Sequence, residues 1–151
     1  RADDPARGEV LLVVADGLGG HRGGEVASRM AIDLLGPLVR AGTGPAPERL
    51  VQAIGEANRQ IHEAARVDET LEGMGTTVVC LLADRRGVAH VAHVGDSRLY
   101  RLRDERLDAL TEDHSLVATL VREGVIRPDE ARTDPRKNQI LRALGVRKEV
   151  E

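Results

Sequence analysis

The chain has 151 residues, a formal net charge of −3, no Phe, no Trp and a single Tyr. That length suits one domain rather than two, and it permits burial of roughly two-thirds of the unfolded surface. The acidic balance and the near-absence of aromatic rings argue against binding nucleic-acid backbones by net charge or stacking bases.

The interior must therefore be aliphatic. The one cysteine, Cys80, lies in an apolar stretch and has no partner in the chain for a disulfide, so it is expected to be buried and unreactive in a reducing compartment. No stretch approaches the roughly 20 apolar residues of a membrane helix. The opening residues, Arg-Ala-Asp-Asp-Pro-Ala-Arg, lack the apolar segment of a secretory signal. The expectation is a soluble, cytoplasmic protein with no membrane segment and no nucleic-acid partner.

Residues 10–15 form a continuous apolar run ending at Asp16-Gly17, the pattern of a strand buried on both faces. A glycine-dense loop follows. From about Gly24, Val26, Met30, Leu34 and Leu38, with Ala27, Ala31 and Leu35 beside them, recur at helical spacing to about Arg40. A second helix is predicted from Pro47, an acceptable first-turn proline, to about Ala65. The short linker makes the two an antiparallel pair.

The second half reads as strands at 76–83 and 88–94, joined by a turn ending in Gly87, then 97–103 and 106–110, together a meander. Leu116, Val117, Leu120 and Val121 mark a further helix. Short pieces at 128–131 and 138–144 follow, the latter capped by Gly145. There are no internal repeats. The whole reads as one α+β domain.

An acidic residue at the end of a buried strand needs a partner. For Asp16, a hard cation and a hydrogen-bonded turn both supply one, and the glycines would let a carbonyl such as that of Gly17 approach a ligand. A Walker loop fails because Glu25 stands where lysine belongs, and a dinucleotide fingerprint fails at Arg22. Strand, glycine loop and helix still allow a nucleotide-binding module. The His62-Glu63 segment lacks the second histidine of a zinc protease, and His90 and His93 fall on opposite faces of one strand. Alone, Gly95-Asp96-Ser97-Arg98 reads as a turn with Asp96 bonding local backbone or Arg98. Asp113, before the third helix, reads as its N-cap.

Taken in order, these segments resemble the bacterial form of the protein phosphatase 2C family. The resemblance rests on Val-Ala-Asp-Gly-Leu-Gly-Gly-His at 14–21 with Gly-Glu-Val-Ala-Ser at 24–28, and on Gly-Met-Gly-Thr-Thr at 73–77. It continues through His-Val-Gly-Asp-Ser-Arg-Leu-Tyr-Arg at 93–101, Leu-Thr-Glu-Asp-His-Ser-Leu-Val at 110–117, and Asn-Gln-Ile-Leu-Arg-Ala-Leu-Gly at 138–145. It implies an α-β-β-α sandwich of two antiparallel sheets flanked by helix pairs, here lacking the family's first and last strands. Residues 1–151 would be a single partial domain with a flap subdomain at about 124–138.

The implied activity is hydrolysis of phosphoserine and phosphothreonine in proteins by a metal-activated water, with two Mn²⁺ or Mg²⁺ ions and a third in bacterial members. The implied partners are phosphorylated Ser/Thr proteins, including substrates of a bacterial Ser/Thr kinase. Carried over by position, Asp16 is similar to the carboxylate bridging both metals, and Gly17 to the residue whose carbonyl helps hold the second. Asp113 is similar to an acidic residue of the third metal site. The flap from Gly124 to Asn138 lies where substrate selectivity is expected, while Gly95–Arg98 and Gly75–Thr77 are expected to be chiefly structural. Leu18 stands where the eukaryotic branch has a histidine proposed as general acid, leaving His21 as a weak catalytic candidate.

The family's arginine and acidic pair ahead of the bridging aspartate are not matched here, nor are its later Ser-Asp-Gly and Asp-Asn segments. Two functions therefore stand: a phosphatase whose remaining ligands lie in a longer parent, or a catalytically incomplete pseudophosphatase that binds phosphoproteins or regulates. Missing strands are expected to leave open edges and apolar faces that make the isolated chain marginal or self-associating.

Overall fold

The computed structural model describes residues 1–18 and 21–150, and the side chain of each of these except His21. A four-stranded antiparallel sheet is its centre, in the order β1 (Ala2–Asp4), β2 (Glu9–Val14), β5 (Val78–Ala83), β6 (Ala89–Val94). Two short strands, β3 (Gly17–Leu18) and β4 (Gly75–Thr76), pair with each other, and β7 (Tyr100–Arg103) pairs with β8 (Arg106–Ala109) in a separate hairpin. The helices are α1 (His21–Ala41), α2 (Ala46–Val67) and the short α3 (Leu116–Arg122).

The helix pair forms because each helix carries one apolar stripe. In α1 the fully covered row is Ala27, Ala31, Leu35 and Val39, while Val26, Met30, Leu34 and Leu38 are half-covered beside it. In α2 the row is Leu50, Ala53, Ile54, Ala57 and Ile61. Alanine at four of these nine positions lets the backbones come close. Against them the sheet presents Leu11, Val78, Cys80, Leu82 and Val94, a core with no aromatic ring. A fully covered Leu such as Leu35 contributes about 2 kcal/mol by burial.

One ion pair crosses beneath this layer. Arg49, its side chain only 3% exposed, gives Nη2 to both oxygens of Glu9 at 2.6 and 2.8 Å and Nη1 to the Val39 carbonyl. The pair staples the start of α2 to the start of β2.

Several expectations need correction. Strand β2 is covered on one face only: Leu12 and Val14, which alternate with Leu11 and Val13, are 46% and 60% exposed. A continuous apolar run cannot distinguish one covered face from two. The strand expected at 76–83 is broken at Thr77, where the chain turns from β4 into β5. The meander ends at β6, because β7 and β8 leave the central sheet as their own hairpin. That hairpin turns through Asp104 and Glu105, both at positive φ (49° and 61°), a two-residue geometry usually given to Asn-Gly.

Residues 138–144 are not helical. They run as an extended strap bridged to Ser115 through Ile140 and to Thr76 through Leu144. Gly145 does occupy a left-handed turn, with φ +87°, and its N–H donates to the buried Asn58 Oδ1 at 2.8 Å. The N-cap of α3 is Ser115, whose hydroxyl accepts from Ala118 N–H, and not Asp113. Edge strand β1 has no apolar pattern and was invisible in the sequence. The α+β class with antiparallel sheets holds, with one long helix pair among the described residues.

Candidate functional site

Asp16 lies just past the end of β2, and its backbone is gripped from β4 and the residue after it. Its carbonyl accepts from Thr77 N–H at 2.8 Å and from the Thr76 hydroxyl at 2.9 Å. Its own N–H donates to Thr77 Oγ1 at 3.3 Å. Thr76 is in turn bonded in both directions to Leu144. Both threonines are fully buried, although they sit in an otherwise apolar run.

The turn at Asp16 is thus closed without its side chain. The carboxylate belongs to an exposed residue and accepts no hydrogen bond from a described residue. Of the two readings of an acid at this strand end, the hydrogen-bonded turn exists but uses threonine hydroxyls. The carboxylate is left for something else.

Gly17 and Gly24 are glycines for a steric reason. A Cβ on Gly17 would stand 2.0 Å from the Gly24 carbonyl oxygen, and one on Gly24 would meet Gly17 and the Leu18 carbonyl at 2.9 Å. Only glycines let β3 press against the first turn of α1. The side chain of His21, the candidate proton donor, and the whole of Gly19 and Gly20 lie outside the described residues.

The loop between β6 and β7 is tied to this cradle. Thr77 Oγ1 is 2.6 Å from Ser97 Oγ, and Gly95, at φ +106°, lies so close that a Cβ would be 2.6 Å from Thr77 Cβ. Gly95 also holds the segment before α3: its carbonyl accepts from His114 N–H and its N–H donates to His114 Nδ1 at 3.1 Å. Glu112 N–H donates to His93 Nε2 at 3.1 Å, and the two rings meet edge to face with centroids 4.5 Å apart. Accepting a backbone N–H requires a lone pair on the accepting nitrogen, His114 Nδ1 and His93 Nε2, so both histidines are neutral in this arrangement. Burial pulls both below their ordinary pKa, and for His114 the neighbouring His93 adds to it.

Asp113 is occupied. Arg98 Nε and Nη2 donate to its two carboxylate oxygens at 2.8 and 2.7 Å, and Arg98 Nη1 reaches the Tyr100 hydroxyl at 3.3 Å. This bond raises the arginine's already high pKa further. Of the two partners the sequence left open for Asp96, local backbone or Arg98, two residues away, the second is excluded: the bidentate geometry commits Arg98 to an acid fifteen residues on. Glu112 is paired with Arg122 of α3. No bond joins Asp16 to Asp113; the Gly95–Arg98 loop connects their surroundings. The structural roles expected of Gly75–Thr77 and Gly95–Arg98 are evident in these bonds.

The residues expected to form the flap, 124–138, contain a single 3₁₀ turn, Glu130–Arg132. They are held by local pairs, an exposed one of Arg127 with Asp129 and Glu130, and a half-buried one of Arg136 with Asp134. The Arg136 hydrogen bonds bring the Asp134 carboxyl down to about 2. Between this segment, α3 and the β7–β8 hairpin runs a groove of about 390 Å³, lined by Tyr100, Val117, Val121, Pro128 and Ala131 with Arg98 and Asp113 at its side.

As a metal centre the described residues are incomplete. Among them no three or more His, Cys, Asp or Glu side chains gather as a metal site. A hard divalent cation takes about six oxygen ligands. Asp16 offers a free carboxylate of the right chemistry, but by itself it does not hold such an ion.

Comparison with known proteins follows this geometry. The family model for Protein phosphatase 2C matches residues 2–126. The chain is 44% identical over 146 residues to the serine/threonine phosphatase stp of Listeria welshimeri, covering 93% of this chain and 58% of that protein. It superposes on the crystal structure of serine/threonine phosphatase Stp1 from Staphylococcus aureus with TM-score 0.86 and 39% identity, covering 93% of this chain and 57% of that one. The catalytic domain of the phosphatase PstP, in a crystal structure containing two manganese ions, matches with TM-score 0.78 and 36% identity, covering 98% of this chain and 65% of that one.

These likenesses place the α+β domain in the class of phosphatase folds built on antiparallel sheets. The chain belongs to the protein phosphatase 2C family. It spans less than two-thirds of the length of these relatives. Among the described residues no helix is long and apolar enough to cross a membrane.

Proposed function

We propose that the chain is a partial protein phosphatase 2C domain, with its flap at about residues 124–138, of a metal-dependent phosphatase acting on phosphoserine and phosphothreonine in cytoplasmic proteins. The observation that carries this reading is the Asp16 cradle. Two buried threonines satisfy the turn, and the carboxylate is left unengaged at the end of a strand. Its relatives are named serine/threonine phosphatases, and one of them is described with two manganese ions.

Bound Mn²⁺ or Mg²⁺ supplies an activated water and neutralises charge on the phosphoryl group. In this chain Asp16 would be one ligand and the Gly17 carbonyl a candidate second. Asp113 would be a candidate ligand of a third ion, and ligands beyond these would have to be supplied by sequence outside the 151 residues. The substrates fitting this reading are phosphoproteins made by a bacterial Ser/Thr kinase.

The test compares the 151-residue chain with the same chain carrying its native flanking sequence, using p-nitrophenyl phosphate and a phosphothreonine peptide with Mn²⁺. The 151 residues alone should show no Mn²⁺-dependent turnover. The extended protein should turn over, and Asp16→Asn should lower that rate by about 100-fold or more. Robust turnover insensitive to Asp16→Asn sinks the assignment. Peptide binding without turnover in the extended protein would instead establish a pseudophosphatase.

A further inference from the structure

A cavity of about 500 Å³ lies beside the entry to α3, with His93, His114, Arg122 and Arg142 in its wall. The bonding of the two histidines fixes what they offer to it. His93 Nε2 accepts from Glu112 N–H, and His114 Nδ1 accepts from Gly95 N–H. A neutral imidazole that accepts at one nitrogen carries its proton on the other. His93 Nδ1 and His114 Nε2 are therefore N–H donors, and neither has an acceptor among the described residues. The edge-to-face contact, with centroids 4.5 Å apart, holds the two rings against each other. Arg122 is held by Glu112 and by Thr119 Oγ1, the latter 3.4 Å from Nη2. Arg142 stands close enough to His114 for its charge to help hold that ring's pKa down. Two carboxylates share the wall, and each already has a cation: Asp113 has both oxygens on Arg98, and Glu112 has Arg122. Three guanidiniums thus stand against two carboxylates, which leaves the cavity rich in donors and positive.

We infer that this cavity binds a phosphate group other than the one hydrolysed at Asp16, held by the His93 and His114 N–H donors and by the Arg122 and Arg142 guanidiniums. Guanidinium and N–H donors match the oxygens of a tetrahedral dianion with charge-assisted bonds. The Arg122–Glu112 pair is open to solvent, with side chains 58% and 64% exposed. Such a pair contributes little in water, so Arg122 can turn from Glu112 to a dianion at small cost. The site is separate from Asp16 but shares a loop with it: His114 bonds Gly95, Gly95 packs on Thr77, and Thr77 bonds Asp16. The inference deepens the phosphatase reading and rests on it for the source of the group. That source is either free phosphate, the product of the reaction, or a second phosphorylated side chain of the substrate protein.

The test reads the imidazole signals of the 151-residue chain, labelled with ¹⁵N and free of metal, while inorganic phosphate is titrated in at constant ionic strength. Acetate and a phosphothreonine peptide are titrated in parallel, and circular dichroism melts establish which variants remain folded. Phosphate should shift the His93 and His114 signals to saturation, and acetate should not. Arg122→Gln and Arg142→Gln should each raise the half-saturating phosphate concentration by about tenfold, the scale of a charge-assisted bond. Glu112→Gln, which releases Arg122, should lower it by about threefold, while Glu123→Gln, outside the cavity wall, should leave it unchanged. A phosphothreonine peptide that half-saturates below inorganic phosphate supports a phosphorylated side chain as the source; the reverse order supports free phosphate.

The absence of a saturable shift overturns the site. So do equal titrations of wild type and both folded arginine variants, which would mark the phosphate as an adventitious ion only. Binding that is lost when the titration is repeated on the metal-free protein with its native flanking sequence overturns it as well, because the cavity would then be filled by the protein itself. None of these results touches the Asp16-dependent turnover of the extended protein, and loss of that turnover leaves the phosphate titration standing, so the two readings fail separately.

Discussion

Replacing Thr77 by Val probes the Asp16 cradle with the smallest change in shape. Valine keeps the branched Cβ that suits the extended backbone, and Thr77 N–H can still donate to the Asp16 carbonyl. What is lost is the hydroxyl, which accepts from Asp16 N–H at 3.3 Å and shares a proton with Ser97 Oγ at 2.6 Å. Each hydrogen bond is worth about 1 kcal/mol net. The new methyl is also forced to within hydrogen-bond distance of Ser97, which adds overpacking that a half-buried serine can partly relieve by rotating. The expected loss is about 2–3 kcal/mol. For a chain of this size that lowers Tm by about 4–10 °C, read as a shift in the urea midpoint at unchanged slope. Combining Thr77→Val with Ser97→Ala removes both the crowding and the orphaned hydroxyl, so the double variant should be about 1 kcal/mol more stable than the sum of the singles. A Thr77→Val protein within 0.5 kcal/mol of wild type, as an order-of-magnitude threshold, would refute the view that these hydroxyls hold Asp16 in place.

Glu9→Gln should cost about 3 kcal/mol in urea denaturation, because it strands the buried Arg49 guanidinium, whereas Glu9→Leu with Arg49→Met should recover most of it. Cys80 is 1% exposed, and burial pushes its thiol up to about 12. It should resist a thiol-disulfide reagent at pH 8 in the native state and react only at the rate of global unfolding. Because the folded thiol stays protonated while the unfolded one ionises near 9, this group withdraws stability as pH rises above 9. Leu12→Thr with Val14→Thr should reduce self-association of the 151-residue chain in sedimentation velocity while changing Tm by less than about 2 °C, since both side chains lie on the open sheet face.

What the sequence determined alone was the part written in local periodicity and in ordered motifs. The two long helices follow from apolar stripes that any packing would bury, and the β5–β6 hairpin from two apolar runs around a turn closing at Gly87. Cys80 follows from its neighbours. The family was legible because five segments appear in order, and with it Asp16 as the acid to examine.

Only the tertiary structure decided the partners of these residues. That Leu12 and Val14 face outward depends on what covers the sheet, which a run of apolar letters does not encode. Arg98 lies two residues from Asp96 and fifteen from Asp113, and side-chain reach across the folded loop, rather than proximity in the chain, selects Asp113. Residues 138–144 have a helix-like composition but spend their backbone bonds on His114, Leu116 and Thr76, because those neighbours offer partners that a helix would have supplied internally. The same is true at Asp16. Its position marked it as special, but only the two threonines brought up from residue 76 onward show that its backbone is satisfied and its carboxylate left over.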